Sequence, residues 1–393
     1  MTVIKIQLFV KMLIMRRIYS YSILTLIVLI STFILWLPFI LKINSQDFLT
    51  IYKHYDGPLY VVPAKTFYDP VKIVQLKLET TLGPNYFAAH LPLYPGLIRV
   101  IREIETFFGI KELAYLKSMI GVNLLSTIGL VLFFYFLLKK FRITKNPLIL
   151  AALLLFLPRF LVIRSIGSPE SLFMLLILLS LFFFEKKNFW VAGLFGGLAT
   201  MTKTPGILLF PAYIFAIIEP YIFRLNSDQP KKINFNWLGV LLIPLGLLAV
   251  FGIYGVQYKD FFAYFHSGDN IHLVFPFSVF DFKKNWVGTA WLEEILFYYF
   301  LYGLTIINLK DSKYRSFFYF GLVFFTATLF VQHRDISRYA LPLWPLVLIT
   351  FENFFTSKNF LIIFLILLPA IYLYAWNFLS YNVMPISNWA AFL

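Results

Sequence analysis

Cysteine is missing altogether from the 393 residues. Its absence excludes a disulfide framework, a thiolate nucleophile and a thiolate metal ligand. It does not identify the compartment, because a chain packed in a bilayer needs no covalent staples. Charge is scarce as well: Asp, Glu, Lys and Arg make up 13% of the chain, against about 25% in soluble domains. There is no Gly-rich phosphate loop, nucleophile elbow, zinc-binding helix or nucleotide-binding sheet pattern. A cytosolic nucleotide sugar or ATP therefore has no visible home. Internal repeats and low-complexity tracts are also missing.

What fills the chain is apolar sequence. Hydrophobic residues account for 60% and aromatics for 20%, and the mean hydropathy is +0.79. These values belong to the membrane class. The formal charge of +15 does not point to nucleic acid, since the basic residues sit at the ends of apolar runs instead of on one soluble patch. The N-terminal stretch carries Lys5, Lys11, Arg16 and Arg17 before an apolar run over about 19–41. That run is longer than a signal-peptide core and no small-residue cleavage site follows it, so it reads as a first retained span.

Apolar runs recur at 19–41, 115–138, 147–163, 171–184, 189–202, 206–223, 235–257, 287–309, 316–332, 339–355 and 360–378. At roughly 20 residues per crossing this predicts about eleven transmembrane helices. Runs 171–184 and 189–202 are short. They form either a re-entrant hairpin or two crossings beneath a dip in the outer surface, and as a pair they leave downstream sidedness unchanged. With the N-terminus cytoplasmic, the short inner loops hold Lys139, Lys140, Arg142 and Lys145, then Lys186 and Lys187, then Lys310, Lys313 and Arg315. This excess obeys the positive-inside rule. Two longer outer segments remain, 42–114 and 258–286. Within the first, Leu97, Ile98, Ile101, Ile104 and Phe108 alternate with Arg99, Arg102 and Glu103 at helical spacing, as in a helix lying at the membrane interface. The expected fold is a single all-α, polytopic helical membrane domain over 1–393 with two extracytoplasmic caps, set in the plasma or inner membrane of the cell.

Few residues in such a chain can carry chemistry. Asp56 sits in Tyr55-Asp56-Gly57-Pro58, where Gly-Pro fixes a turn and presents one carboxylate near the bilayer surface. A carboxylate there can deprotonate an attacking hydroxyl; the bland alternative is a solvated loop aspartate. His90 and Tyr94 lie in a Pro-stiffened aromatic stretch, read either as substrate contacts or as an interface belt. Arg164, Glu170 and Lys203 occupy neighbouring outer turns, either as a headgroup-level charge pair or as a polar wall for a carrier phosphate and a sugar. Arg334 and Arg338 form the densest charged cluster of any short outer loop, and arginine suits bidentate phosphate recognition. Asp269 and His272 belong to a His266-x-x-Asp-x-x-His pattern. Gly268 interrupts a helix there and no zinc pattern is matched, so they are candidates for polar substrate contacts and no metal ligands are assigned.

The order of these pieces resembles the membrane glycosyltransferases of the GT-C superfamily, most closely the second-mannose transferases of glycosylphosphatidylinositol synthesis and their prokaryotic relatives. The resemblance runs over about residues 50 to 345. It rests on Tyr55-Asp56, His90-Leu91-Pro92-Leu93-Tyr94-Pro95, Ser168-Pro169-Glu170-Ser171-Leu172-Phe173, Trp190-Val191-Ala192-Gly193-Leu194 running on to Thr202-Lys203-Thr204-Pro205-Gly206, and Arg338-Tyr339-Ala340-Leu341-Pro342. Tyr55 stands where the family usually has Trp, and Lys203 where Arg is common. The resemblance implies transfer of a hexose, mannose among the candidates, from a polyprenyl-phosphate donor to a lipid or glycan acceptor at the outer face. Asp56 is then the base, and Lys203 and Arg338 hold the donor phosphate. Membrane lipids are the other partners. No cofactor is implied with certainty. A divalent cation stays open, although no second acid lies two positions from Asp56. The alternative is a transporter or lipid flippase, against which stand the lack of a repeat and the placement of charges at span ends, Arg159 and Glu219 being the deeper exceptions.

Overall fold

The computed structural model describes residues 2–78, 82–109, 115–222, 235–268, 273–285 and 292–384, together with 386, 389, 391 and 392. Every apolar run read from the sequence is helical over most of its described length. Five helices are long and apolar enough to cross a membrane: Tyr19–Ile40, Tyr115–Lys140, Thr204–Tyr221, Phe235–Gln257 and Lys358–Tyr381. The others are shorter or broken, so length and composition alone mark five crossings among the described residues, not eleven.

The breaks have local causes. The 147–163 run divides into Pro147–Leu153, a short tight turn and Pro158–Ile163. Leu157 is extended (ψ 125°) because the proline after it disfavours the helical region, and Pro158 then opens the next helix, where its missing N–H costs nothing. The 339–355 run, expected as one span, breaks into Ile336–Tyr339, Leu341–Leu343, Trp344–Thr350 and Glu352–Phe355, with Pro342 and Pro345 in first turns.

The paired helices Glu170–Glu185 and Phe189–Thr202 lie against each other, and the second also packs along Leu242–Gln257. Glycine makes that last approach possible. A Cβ on Gly193 would fall 1.8 Å from the Gly239 carbonyl oxygen, and one on Gly246 2.6 Å from that of Gly197. Small residues let helix backbones close in this way where no hydrophobic force drives helices together in lipid. At the far end of the molecule Glu219 pairs with Arg315, whose Nε lies 2.7 Å from Oε2, so this deep acid is neutralised.

The described residues of the 42–109 segment form a folded cap. Its short helices Leu49–Tyr52, Val61–Thr66 and Pro70–Gln75 and the helix Leu93–Phe107 bury Ile51, Val61, Val62, Ile73, Tyr94 and Ile98 in the main core. The amphipathic helix begins four residues earlier than its sequence period indicated; Val100, Ile104 and Phe107 remain exposed. The chain's end closes over this cap. Tyr55 N–H donates to the Asn382 carbonyl (3.0 Å) and Met384 N–H to that of Lys53 (2.7 Å).

Candidate active site

Asp56 lies at the start of a tight turn, Gly57–Tyr60. Tyr55, at φ 43°, occupies the left-handed region that side chains disfavour, and the bonds to the 382–384 segment hold it there. Gly57 packs against Gly167: a Cβ at 57 would sit 2.8 Å from the Gly167 carbonyl oxygen. The Asp56 turn is therefore wedged against the 165–169 turn that precedes Glu170.

Glu170 opens its helix, where the dipole favours an acid. Its side chain is nearly inaccessible, yet it is fully engaged. Oε1 accepts from Lys203 Nζ and from Arg338 Nε, each at 2.7 Å, and Oε2 accepts from the Ser168 hydroxyl. Burial alone would raise its pKa. Arg338 and Lys203 outweigh that and hold the carboxyl well below the usual range. Lys203 stands on an extended residue between Phe189–Thr202 and the following turn, with Nζ 5.5 Å from the Tyr339 ring centre. Burial lowers its pKa, against the pull of Glu170. Arg338 comes from the single turn Ile336–Tyr339 and reaches Asp56 through Nη1 at 3.3 Å. Burial opposes its charge, but Glu170 and Asp56 raise its pKa well above the ordinary value.

A second pair adjoins the first. Arg159 donates through Nη2 to Asp335, and its guanidinium lies over the Phe378 ring, 3.9 Å from the centre. Asp335 also accepts from Ser337, and its own N–H donates to His333 Nδ1 (3.0 Å). The single segment 333–339 thus carries Asp335 toward Arg159 and Arg338 toward Glu170 and Asp56. Three carboxylates, Asp56, Glu170 and Asp335, face three cations, Arg159, Lys203 and Arg338.

All of these except Glu170 border a cavity of about 1050 Å³. Asp56, Arg159, Lys203 and Arg338 line it together with Ile207, Leu208, Leu247, Phe251 and Phe265. A lining that joins charged to apolar side chains suits a ligand with a charged head and a greasy tail.

Of the residues proposed from sequence, Asp56, Tyr55, His90, Lys203, Arg334 and Arg338 line this cavity. His90 is buried beside Tyr60, with ring centres 4.7 Å apart, and burial lowers its pKa to about 4. Three residues stand otherwise. Tyr94 is fully buried and packs behind the lining residue Tyr60: its hydroxyl donates to the Met119 carbonyl and accepts from Ser168 N–H, both at 2.9 Å, so it braces the 168 turn. Glu170 does not line the cavity either; it is the buried counter-ion of the two cations that do. Arg164 joins neither Glu170 nor Lys203, but spends its guanidinium on Ser31, Thr32 and the Leu155 carbonyl. Asp269 and His272 lie outside the described residues. Sequence reasoning gave no role to Arg159 and Asp335; the one signal was a charge inside an apolar run. Among the described residues no three His, Asp or Glu side chains are grouped as metal ligands.

No protein-family model matches the chain, and no curated protein matches it.

Proposed function

We propose that this protein is a polytopic membrane glycosyltransferase of the GT-C kind. It would move a hexose, mannose among the candidates, from a polyprenyl-phosphate carrier to a lipid or glycan acceptor at the extracytoplasmic face. The observation that carries the reading is one cavity lined by a turn-held carboxylate, Asp56, by its partner Arg338 and by Lys203, and also by the apolar Ile207, Leu208, Leu247 and Phe251. In the proposed reaction Asp56 takes the proton of the acceptor hydroxyl. The acceptor oxygen bonds to the anomeric carbon as the bond from that carbon to the phosphate oxygen breaks. The polyprenyl phosphate leaves with the electron pair, and Lys203 and Arg338 face its negative charge. A single displacement of this kind inverts the anomeric centre.

Sidedness supports the reading. The segment 382–384 is bonded to residues 53–55, so both lie on one face and an even number of crossings separates them. With the span at Tyr19–Ile40 the total is odd, as five and eleven both are; the cytoplasmic N-terminus rests on the positive-inside excess of the short loops alone.

The test is incubation of the purified protein, reconstituted in lipid, with a panel of polyprenyl-phosphate hexoses and candidate acceptors. Transfer from one donor, lost in Asp56→Asn at unchanged membrane level, is the expected result. Unchanged transfer in that variant overturns the role of Asp56. Counterflow of a solute across liposomes with no transfer from any donor would favour a carrier instead.

A further inference from the structure

The second outer segment carries apolar surface where a water-facing loop would carry polar residues. Phe275 is 81% exposed and Phe282 80%; Phe261, Phe262, Phe265 and Phe277 are exposed as well. None of these belongs to a long helix. They follow the end of Leu242–Gln257 and precede Glu293–Leu309, and the regular pieces among the described residues near them are the single turns Ala263–His266 and Ser278–Phe280. Exposed, basic Lys259, Lys283 and Lys284 flank them.

The height of this stretch is fixed. Val274 N–H donates to the Phe330 carbonyl (2.9 Å) and Phe277 N–H to that of Leu329 (2.8 Å). Leu273 forms an antiparallel bridge with Val331, and the Gln332 side chain donates to the Ser278 carbonyl at 3.1 Å. Leu329 is the last residue of the apolar helix Arg315–Leu329. The 273–278 strip is therefore bonded to the point where an apolar helix ends, the level at which hydrocarbon gives way to headgroups. Phe277, at φ 62°, is held in the left-handed region by this bonding. On the other side of the gap, Phe261, Phe262 and Phe265 pack round Phe251, with ring centres 5.4, 6.0 and 5.7 Å away, and Phe251 belongs to the membrane-length Phe235–Gln257 stretch.

We propose that residues 261–268 and 273–284 form a membrane-seated lip. Its phenylalanines enter the boundary between headgroups and acyl chains, and its lysines meet lipid phosphates. Aromatic rings beside lysines are the composition of that boundary, and an exposed cluster of large apolar side chains marks an interaction surface. Phe265 and Leu273 line the cavity together with Asp56, so the lip edges the cavity at lipid level and a lipid-borne ligand reaches it sideways from the bilayer. The lip's seating rests on the membrane reading and not on glycosyl transfer, so the two stand or fall separately.

The absence of native cysteine makes the experiment clean. Phe275→Cys, Phe282→Cys and, as a control, Glu103→Cys (side chain 63% exposed) are each labelled with an environment-sensitive fluorophore and reconstituted in vesicles containing anionic lipid. A nitroxide high on the acyl chain is expected to remove roughly half of the emission at 275 and 282 if the labels sit at the interface. Aqueous iodide is expected to quench only the label at 103. Iodide quenching at 275 and 282 with no effect of the lipid nitroxide overturns the proposal. So does protection from both quenchers, which would mean that a protein surface or a second copy of the chain covers the strip. Phe282 lies apart from the bonded 273–278 strip, so a fold disturbed by substitution at 275 still leaves a second reporter.

Discussion

Arg338 holds two acids at once: Nε donates to Glu170 Oε1 at 2.7 Å and Nη1 to Asp56 Oδ2 at 3.3 Å. The first contact is short and buried. The second is longer, and the Asp56 side chain is 37% exposed. The planar fork of one guanidinium therefore fixes the distance between the buried counter-ion and the carboxylate open to the cavity.

Replacing Arg338 by lysine keeps the charge and removes the fork. An ammonium cannot reach both acids along two fixed directions. Under the proposed function, Arg338→Lys is expected to lower sugar transfer by about 10- to 100-fold, equivalent to about 1.4–2.7 kcal/mol of transition-state stabilisation, with little change in thermal stability. Initial rates across donor concentrations check this. A variant with full activity would remove Arg338 from the donor site.

Glu170 is the test of the charge balance. It is the shared acceptor for two cations that are themselves largely buried. Glu170→Gln leaves Lys203 and Arg338 with Asp56 as their nearest remaining acid. Removing one partner of a buried pair costs about 3–5 kcal/mol, so the variant is expected to unfold at markedly lower denaturant concentration than the parent. Equal midpoints would show that water, not Glu170, compensates the two charges.

Much of this site was readable because its pieces are local. Gly57-Pro58 announces a turn beside Asp56, and Glu170, Lys203 and Arg338 each stand at an end of an apolar run on the side expected for the segment that holds Asp56; the structure brings all four into one set of ion pairs. The rest is tertiary. Arg159 lies within an apolar run, and its partner Asp335 is 176 residues away, a distance that no periodicity encodes. Tyr94 looked like an interface aromatic because its hydroxyl partners, Met119 and Ser168, come from other elements. The break at Leu157-Pro158 had its signal in the proline, but run length concealed it.

Acidification should expose the buried histidines. Burial lowers His54 to about 3, with Arg159 and Arg338 adding to the effect, and His90 to about 4. In the unfolded chain both titrate near the ordinary value of about 6.5. Between these limits the unfolded state binds more protons, so stability rises with pH through the window and is lost as pH falls from about 6.5 toward 4. Above that window the two groups contribute no slope. His90→Phe cannot take up a proton and is expected to remove about 1.4 kcal/mol per pH unit from the acid limb. Denaturant titrations at pH 4.5 to 8 measure it. An unchanged slope in the variant would mean that His90 is not held neutral.

Two glycines separate packing from backbone freedom. Gly57 faces the Gly167 carbonyl so closely that an added Cβ would stand 2.8 Å from its oxygen, and backbone on both sides cannot yield as a side chain would. Gly57→Ala is expected to cost about 1–3 kcal/mol through overpacking. Because Asp56 is its neighbour, sugar transfer should fall by more than the lost stability explains. Gly96 lies in the helix Leu93–Phe107 with nothing within 4 Å of an added Cβ, so Gly96→Ala is expected to gain about 0.5–1 kcal/mol from reduced chain entropy. Thermal unfolding of the two variants beside the parent should therefore move in opposite directions. If both melt alike, the wedge of the Asp56 turn against the 165–169 turn is not what holds the carboxylate in place.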